Sequence, residues 1–355
     1  MTRVLVIGGG ILGATTAWEL AKSGAEVMLI DADDSSAQAS VGSLAWLNVC
    51  STADMQYAAL RRASMMAWHE IKVDFPNVPV TFQGALMWGD DGGAVAALVA
   101  KLTDLGWPCE VLDAQDVAAR VPELKNPQAA LFAPAEGAAD PTKITDWMRG
   151  QARAAGCDFC QGTVRDISTG CVTLKDGRSL GADRIVVTAG HQTAHLLSGL
   201  GVEVPLRKSP GILMKTEPVA RVIPYVMASP VLDFWQGTDG AVFMSSSLSK
   251  TEARADDLLA DDALAVLVGL FPSLKGVKVA TTVRRDRPIP ADGFPIVGRT
   301  GVDGVWLAVT HSGMTLAPVI AQSLADDVLG RVARHDLGAF ELGRNMADRH
   351  ERAAL

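Results

Sequence analysis

The stretch VLVIGGGILG at residues 4–13, followed by VMLID at residues 27–31, decides the fold class of this chain. An apolar strand leads into a glycine turn, an amphipathic helix, a second apolar strand and an acid, which is the order of a βαβ dinucleotide-binding unit. In that order Gly8 permits a tight turn, Gly10 lets the backbone approach a pyrophosphate, and Gly13 lets the helix pack closely on the strand. The helix N-terminus then presents free N–H groups to the phosphates.

Asp31 ends the second strand, eighteen residues after Gly13. A carboxylate at this place can accept hydrogen bonds from the ribose hydroxyls of an adenosine. The same carboxylate would repel a 2′-phosphate, so NADP is disfavoured. The pattern predicts that a dinucleotide binds and leaves its identity open.

Composition limits the classes of protein to consider. The chain has 355 residues, 48% of them hydrophobic, which predicts a large core and two domains. Its net charge of −8, without a long basic run, argues against nucleic acid or an anionic membrane as partner. No apolar stretch approaches the roughly 20 residues of a membrane span, and the N-terminal run lacks the features of a signal peptide. We therefore expect a cytoplasmic enzyme with a small-molecule substrate, of unknown oligomeric state.

The five cysteines are an odd number in a chain that shows no secretory signal, so we expect reduced thiols. Cys157 and Cys160 form a CxxC pattern. Because no second pair and no nearby histidine accompany them, we interpret them as two thiols entering a strand and expect no metal site.

The rest of the chain alternates between two kinds of sequence. Cofactor-domain patterns occupy residues 1–78, 140–203 and 282–355, whereas short strands between turn signals occupy residues 79–139 and 204–281. We predict an α/β protein, α+β in its two-domain organisation, with a Rossmann-like domain and a smaller substrate domain built on an antiparallel sheet. The tail after Arg331 is polar, and we expect it to be mobile.

Two C-terminal segments narrow the class further. The first is RPIPADGFPIVG at residues 287–298, and the second is THSGMTLAP at residues 310–318. Together with the first glycine motif they resemble the D-amino-acid oxidase (DAO) family of FAD-dependent oxidoreductases, closest to glycine oxidase and sarcosine oxidase. The resemblance implies FAD rather than NAD, bound by the discontinuous Rossmann-like domain.

The resemblance also implies a set of FAD-binding residues. They are Gly8, Gly10, Ile11, Leu12 and Gly13 at the phosphates, Asp31 and Ala32 at the ribose, Ser40, Gly42, Ser43 and Leu44 along the pyrophosphate and flavin, Val164 at the adenine, Ala189 and Gly190 in the cleft, and Gly313, Met314, Thr315 and Leu316 at the flavin. The last group opens a helix, whose N–H groups and dipole can stabilise negative charge on a reduced flavin. No cysteine lies within residues 310–318, so we expect noncovalent FAD.

Arg287 is the residue that the resemblance assigns to the substrate carboxylate. A guanidinium forks onto a carboxylate through two hydrogen bonds and fixes its orientation. Strand alternation places Arg285 on the same face as Arg287. Which of these two or Arg284 binds the carboxylate stays open, as does a plain ion pair with Asp286 or Asp292.

Apolar side chains on the predicted strands are candidates for the walls of the substrate pocket. They are Trp46, Met214, Phe234, Trp235 and Met244, with Arg285 as a further pocket residue. The family often uses a tyrosine near the position of Asp233 to bind the carboxylate, but neither Tyr57 nor Tyr225 aligns convincingly there. This departure puts free glycine in doubt and favours a larger substrate.

The implied reaction is hydride transfer from the substrate α-carbon to flavin N5, followed by hydrolysis of the imine. We expect an N-substituted (N-carboxymethyl) glycine or a D-amino acid as substrate, with O2 as one candidate acceptor. Three alternatives stay open. They are a flavin-dependent amino acid dehydrogenase with a non-oxygen acceptor, an NAD-linked hydroxy-acid dehydrogenase, and a redox-inactive flavoprotein subunit of a complex.

Overall fold

A computed structural model describes residues 1–32, 38–50, 52, 54–89, 92–246 and 256–344. The strands of this part are β1 (Arg3–Ile7), β2 (Glu26–Asp31), β3 (Trp46–Leu47), β4 (Val80–Thr81), β5 (Ala85–Met87), β6 (Glu110–Leu112), β7 (Ala130–Ala133), β8 (Gly137–Ala139), β9 (Asp158–Gln161), β10 (Val164–Ser168), β11 (Cys171–Leu174), β12 (Ser179–Gly181), β13 (Arg184–Val187), β14 (Leu206–Thr216), β15 (Val226–Ala228), β16 (Leu232–Gln236), β17 (Val242–Ser246), β18 (Val279–Pro290), β19 (Ile296–Arg299) and β20 (Val305–Val309). The helices are α1 (Ile11–Lys22), α2 (Gln38–Val41), α3 (Met55–Asp74), α4 (Gly92–Asp104), α5 (Ala114–Arg120), α6 (Pro141–Ala154), α7 (Thr193–Ser198), α8 (Asp256–Leu270) and α9 (Gly313–Val328).

The first large sheet has six strands in the order β19-β20-β13-β1-β2-β9. All its pairs are parallel except the edge pair β19 with β20. Every residue of β20 is buried, as expected for a parallel-sheet strand covered on both faces. Helix α1 packs against α6 and α9 on one face. The predicted order of strand, glycine turn, helix and strand is confirmed in β1, α1 and β2.

The second large sheet has eight strands in the order β18-β14-β17-β16-β15-β5-β7-β6. It is antiparallel apart from the pair β15 with β5. Helix α8 covers one face through a cluster of buried apolar side chains. Strand β18 pairs along its length with β14, so residues 282–290 lie in this sheet, although we assigned them to the cofactor-binding domain. The division into domains stays a prediction.

Helix α3 turns several polar side chains inward. Asp54 caps its N-terminus, accepting a hydrogen bond from the backbone N–H of Tyr57 at 2.9 Å. Tyr57, Arg61 and Ser64 are buried along one face, spaced by four and three residues. A polar stripe on a buried helix face requires partners elsewhere in the fold, because unpaired buried polar groups are costly.

The prediction of a mobile C-terminal tail is wrong for residues up to Arg344. Phe340 is buried, and Arg344 forms an ion pair with Asp292 at 2.9 Å, the two side chains being 7% and 0% exposed. The polar composition misled us because an arginine that finds a buried carboxylate becomes fixed rather than solvated. The remainder of that tail, residues 345–355, lies outside the described residues.

The CxxC pair enters a strand, as predicted. All five cysteines are free, with Cys157 just before β9 and Cys160 within it. Burial raises the pKa of the Cys157 thiol to about 12. Across the described ranges, no group of three or more His, Cys, Asp or Glu side chains could hold a metal ion, and no helix is long and apolar enough to cross a membrane.

Candidate cofactor and substrate site

A cavity of about 1030 Å³ receives residues from both large sheets. Its walls come from the turn between β1 and α1, the loop after β2, the start of β10, the segment after β13, strands β14, β16, β17 and β18, and the start of α9. This volume is at the upper end of the range usual for small-molecule and cofactor sites.

The turn between β1 and α1 is built so that no side chain fills it. Gly8 has a φ of +101°, and a Cβ there would lie 2.6 Å from the Thr188 carbonyl oxygen. A Cβ on Gly13 would overlap the Gly8 carbonyl, so helix and turn are in direct backbone contact. Gly10 caps α1 without a side-chain hydrogen bond. The turn therefore has the shape and the exposed backbone that a pyrophosphate requires.

Asp31 closes this turn from the side. Its Oδ2 accepts hydrogen bonds from the Gly9 backbone N–H at 2.7 Å and from Arg149 Nη2 at 2.8 Å. Arg149 comes from α6, and its side chain is 7% exposed. Asp31 also lines the cavity, where its contact with a ribose stays a prediction. Arg149 was not predicted, because nothing local in the sequence marks a partner 118 residues away.

The N-terminus of α9 faces the same cavity. Ser312 caps it without a side-chain hydrogen bond. A Cβ on Gly313 would lie 3.5 Å from Ile11 Cγ2, so the starts of α1 and α9 converge. Leu316 does not line the cavity, since it is fully buried and its N–H already donates to the Ser312 carbonyl at 3.0 Å. Its prediction as a flavin contact is corrected accordingly.

Arg61 links α3 to the start of α9. Its side chain is buried, and Nη1 donates to Ser312 Oγ at 2.7 Å. Nη2 donates to Asn48 Oδ1 at 2.6 Å, and Nε donates to the Asn48 carbonyl at 3.0 Å. Arg61 and Asn48 both line the cavity. Neither residue was predicted, although the polar stripe on α3 was a usable signal.

Glu136 fixes the segment that carries Trp46. The fully buried carboxylate accepts hydrogen bonds from the N–H groups of Val49 at 2.8 Å and Cys50 at 3.0 Å, and from Trp46 Nε1 at 3.0 Å. Burial raises the pKa of Glu136. Trp46 lines the cavity, as predicted for a pocket wall, so Glu136 sets the orientation of that indole ring.

Arg287 reaches the cavity from β18. Its Nη2 donates to Ser209 Oγ and to the Pro210 carbonyl, each at 3.0 Å, and Nη1 lies 3.5 Å from His311 Nε2. The side chain lies across Gly211, where a Cβ would be 2.9 Å from Arg287 Cδ. Burial lowers the pKa of Arg287, yet a guanidinium stays charged at neutral pH.

The two neighbouring arginines have other partners. Arg284 Nε donates to Asp256 Oδ1 of α8 at 2.6 Å, on the side of the sheet away from the cavity. Arg285 Nη1 donates to the Arg284 carbonyl at 2.7 Å and does not line the cavity. The prediction of Arg285 as a pocket residue is corrected, because its side chain turns back on its own strand. Of the three arginines, Arg287 is the one that lines the cavity.

Three residues predicted as apolar walls of the pocket lie on the face of the sheet opposite the cavity, so this prediction is wrong. Met214, Phe234 and Met244 are fully buried in the cluster that packs under α8. Strand alternation then turns the neighbouring residues toward the cavity, where Asp233 and Ser245 are found. The phase of alternation could not be read from strands that are apolar on both faces.

Trp235 supports the wall without forming it. Its ring stacks on Phe243 at 4.3 Å between centroids, and Nε1 donates to the Leu44 carbonyl at 2.8 Å. The indole does not line the cavity; it is buried in a cluster with Phe243, against which Leu44 and Trp46 pack. Leu44, which does line it, is held in place by that bond.

Most of the other predicted contacts do meet in one cavity. Those that line it are Gly8, Gly10, Ile11, Leu12, Asp31, Ala32, Ser40, Gly42, Ser43, Leu44, Val164, Ala189, Gly190, Gly313, Met314 and Thr315. Gly13 does not line it, because it faces the Gly8 carbonyl. Ser40 contributes by accepting a hydrogen bond from the Ile11 N–H at 3.1 Å.

A βαβ glycine turn that opens onto one large cavity, with a second helix N-terminus beside it, is typical of a dinucleotide-binding protein. Residues 3–327 match the family DAO, FAD dependent oxidoreductase, and the chain belongs to this family. The family expected from the two C-terminal segments is thereby confirmed, and FAD is favoured over NAD.

Curated relatives span the chain. It is 24% identical over 372 residues to an opine oxidase subunit of Rhizobium meliloti, covering 98% of each chain. It is 25% identical over 370 residues to glycine oxidase of Pseudomonas aeruginosa, covering 93% of this chain and 95% of the relative.

Solved structures share the fold. Iminodiacetate oxidase from Chelativorans sp. BNC1 superposes with a TM-score of 0.84 at 22% identity, covering 96% of this chain and 98% of that chain. Glycine oxidase from Geobacillus kaustophilus superposes with a TM-score of 0.84 at 19% identity, covering 97% of this chain and 100% of that chain. The predicted combination of a Rossmann-like domain with a second sheet is confirmed.

Proposed function

We propose that this chain oxidises a C–N bond in a small amine or amino acid that carries a carboxylate, with bound FAD as the electron acceptor. The observation that carries the proposal is the Arg287 guanidinium. It lines the cavity, and among the described residues no carboxylate lies within ion-pair distance of it. A half-buried cation aimed into a cavity is suited to an anionic ligand.

The residues present fit FAD. The side-chain-free turn from Gly8 to Gly13 suits the pyrophosphate, and the cavity continues from there to the start of α9. No cysteine of the described chain lines the cavity, which supports noncovalent binding. When bound, FAD would supply a two-electron acceptor for this oxidation: the hydride would leave the substrate α-carbon, a proton would leave the amine nitrogen, and water would hydrolyse the imine to a carbonyl compound and an amine.

The chain itself positions the substrate. Ser209 and Pro210 hold the Arg287 guanidinium in place before a ligand arrives, so little orientation has to be gained on binding. The Nη1 amino group, which lies 3.5 Å from His311 Nε2, is then the part of the guanidinium that donates to the substrate carboxylate. The N–H groups of residues 313–315 and the dipole of α9 stabilise negative charge that develops in the cavity during oxidation.

The relatives agree with this chemistry. Glycine oxidase and iminodiacetate oxidase act, by their names, on amines that carry carboxylates. For this chain we infer an N-substituted glycine or a D-amino acid, since both present a carboxylate beside the C–N bond that is oxidised.

The test is anaerobic mixing of the FAD-loaded protein with sarcosine, iminodiacetate, D-alanine and glycine. We expect at least one of them to bleach the oxidised flavin band, whereas dimethylamine, which lacks a carboxylate, leaves it unchanged. Bleaching by dithionite but by none of the carboxylated amines would contradict the proposal and support a redox-inactive subunit.

Gly211→Ala is expected to raise KM for the substrate about tenfold while FAD content stays constant. The new methyl group would lie 2.9 to 3.2 Å from the Arg287 side chain and force the guanidinium to shift. Misplacement by about 1 Å can cost up to roughly 100-fold in rate. Steady-state kinetics measure the change.

Gly269→Ala is the matched control, because Gly269 is exposed and a Cβ there has no atom within 4 Å. Equal KM values for Gly211→Ala and Gly269→Ala would show that the position of Arg287 does not set substrate affinity.

A further inference from the structure

A second guanidinium faces the cavity beside Arg287. Arg207 lines the cavity from β14, the strand that pairs with β18. The register sets Ser209 opposite Arg287 and Arg207 opposite Ile289, so the two arginines are diagonal neighbours on one face of the sheet. Diagonal pairs lie about 7–8 Å apart at the backbone, within reach of side chains as long as arginine.

Neither guanidinium is neutralised by the protein in the part of the chain that the structure describes. Among the described residues no ion pair joins Arg287, or the exposed Arg207, to a carboxylate, whereas Arg284, on the strand of Arg287, does pair with Asp256. The Arg207 charge is close enough to lower the pKa of Arg287, after the larger effect of burial. Two like charges held together in this way favour a ligand that brings negative charge to both.

Arg207 is better placed for the substrate than for the cofactor phosphates. It stands two residues from Ser209, whose hydroxyl contacts Arg287. The glycine turn that suits a pyrophosphate belongs to the other sheet, between β1 and α1. The two cations therefore belong to one wall of the cavity.

We propose that Arg207 binds a second carboxylate of the substrate, so that the preferred substrate is an amine with two carboxylates. This inference rests on the proposed amine oxidation and adds a specificity-determining residue to it. The second carboxylate belongs either to the substituent on nitrogen, as in iminodiacetate, or to a side chain, as in D-aspartate. Both present the same anion to Arg207.

The first experiment compares substrates that differ by one carboxylate. The pairs are iminodiacetate with sarcosine and D-aspartate with D-alanine, and the readout is the second-order rate of anaerobic flavin reduction. We expect one dicarboxylate to exceed its partner at least tenfold in the unmodified enzyme. The pair that shows the preference identifies which source of the second carboxylate the site takes.

Arg207→Gln is expected to lower that ratio to about one, because loss of a charged hydrogen bond costs about 10- to 100-fold in affinity. Arg207→Lys keeps the charge and should restore part of the preference. Lys215→Gln is the matched control, because Lys215 lies on the same strand, pairs with Asp239 and does not line the cavity. It should leave the ratio unchanged.

Binding of unreactive acids gives a readout that is independent of turnover. Diglycolate has two carboxylates and methoxyacetate has one, and perturbation of the flavin spectrum reports the Kd of each. We expect diglycolate to bind at least tenfold more tightly, and Arg207→Gln to remove the difference.

Several outcomes would overturn the inference. They are equal binding of the two acids by the unmodified protein, equal weakening of both by Arg207→Gln, and loss of FAD in Arg207→Gln with an unchanged ratio, which would assign Arg207 to the cofactor. If no amine reduces the flavin, the proposed function fails, while the Kd values still decide whether a second carboxylate site exists.

Discussion

Gly13→Ala is expected to yield a protein that retains little or no FAD. The added methyl group would overlap the Gly8 carbonyl and lie 2.6 Å from Thr188 Oγ1, so helix α1 has to move away from the turn. Overpacking of this kind costs about 1–3 kcal/mol or more. If about 2.7 kcal/mol of this cost appeared as weaker FAD binding, the affinity for FAD would fall about 100-fold. The ratio of flavin to protein absorbance after gel filtration, together with the Tm, measures the effect.

Gly150→Ala is the control for that experiment. Gly150 also lies within a helix, α6, but it is exposed and a Cβ there has no atom within 4 Å. Alanine favours a helix over glycine by about 1 kcal/mol, so Tm should stay constant or rise, with full FAD content. Stoichiometric flavin in Gly13→Ala would show that the close approach of α1 to the turn is not required for binding.

Arg287→Gln is expected to lower kcat/KM about 100- to 1000-fold while FAD stays bound. Glutamine cannot supply the charge, and losing a charged hydrogen-bond partner costs about 2–5 kcal/mol. Because the same contact aligns the α-carbon for oxidation, we expect kcat to fall as well as KM to rise. Stopped-flow reduction of the flavin under anaerobic conditions separates the two effects.

Arg284→Gln serves as the comparison for Arg287→Gln. Arg284 lies on the same strand and carries the same charge, but it pairs with Asp256 away from the cavity. We expect kcat/KM to change by no more than about threefold, in line with the small value of a partly exposed ion pair. A large loss in Arg284→Gln with normal activity in Arg287→Gln would reverse our assignment of the carboxylate-binding residue.

Local patterns were sufficient to predict the glycine turn and the start of α9, the two elements that we propose hold FAD. The turn at Gly8 and the start of α9 at Gly313 depend on glycines and on apolar runs within a few residues, and such signals survive in a single sequence. Even there, Leu316 was misassigned, since its N–H belongs to the first turn of the helix itself.

The walls of the substrate end were harder to predict. Phe234 and Trp235 are adjacent and both apolar, so composition does not reveal which face of β16 meets the cavity. Both faces of β16 are apolar, because one packs against helix α8 and the other carries the stacked rings of Trp235 and Phe243. The cavity-facing residue Asp233 was named only as the position near which the family often has a tyrosine, and was not itself predicted as part of the site.

Partners that are far apart in sequence were beyond reach. Arg61 bonds to Ser312 across 251 residues, and Arg344 pairs with Asp292 across 52. The sequence gives the residue type of such a side chain but not the distant residue with which it pairs. The buried polar stripe on α3 signalled that such a partner exists, but the folded chain was needed to name it.

The ion pair between Arg344 and Asp292 has a consequence for how the protein folds during its synthesis. Gly293 and Phe294, next to Asp292, line the cavity, and Arg344 Nη2 also donates to the Phe294 carbonyl at 3.2 Å. Until Arg344 leaves the ribosome, Asp292 has no such partner, and a buried carboxylate without its cation is costly. The nascent chain thus presents its glycine turn early, whereas the cavity wall at Gly293 and Phe294 gains this ion pair only after Arg344 has been synthesised. We expect stable capture of FAD to require a chain that extends at least to Arg344.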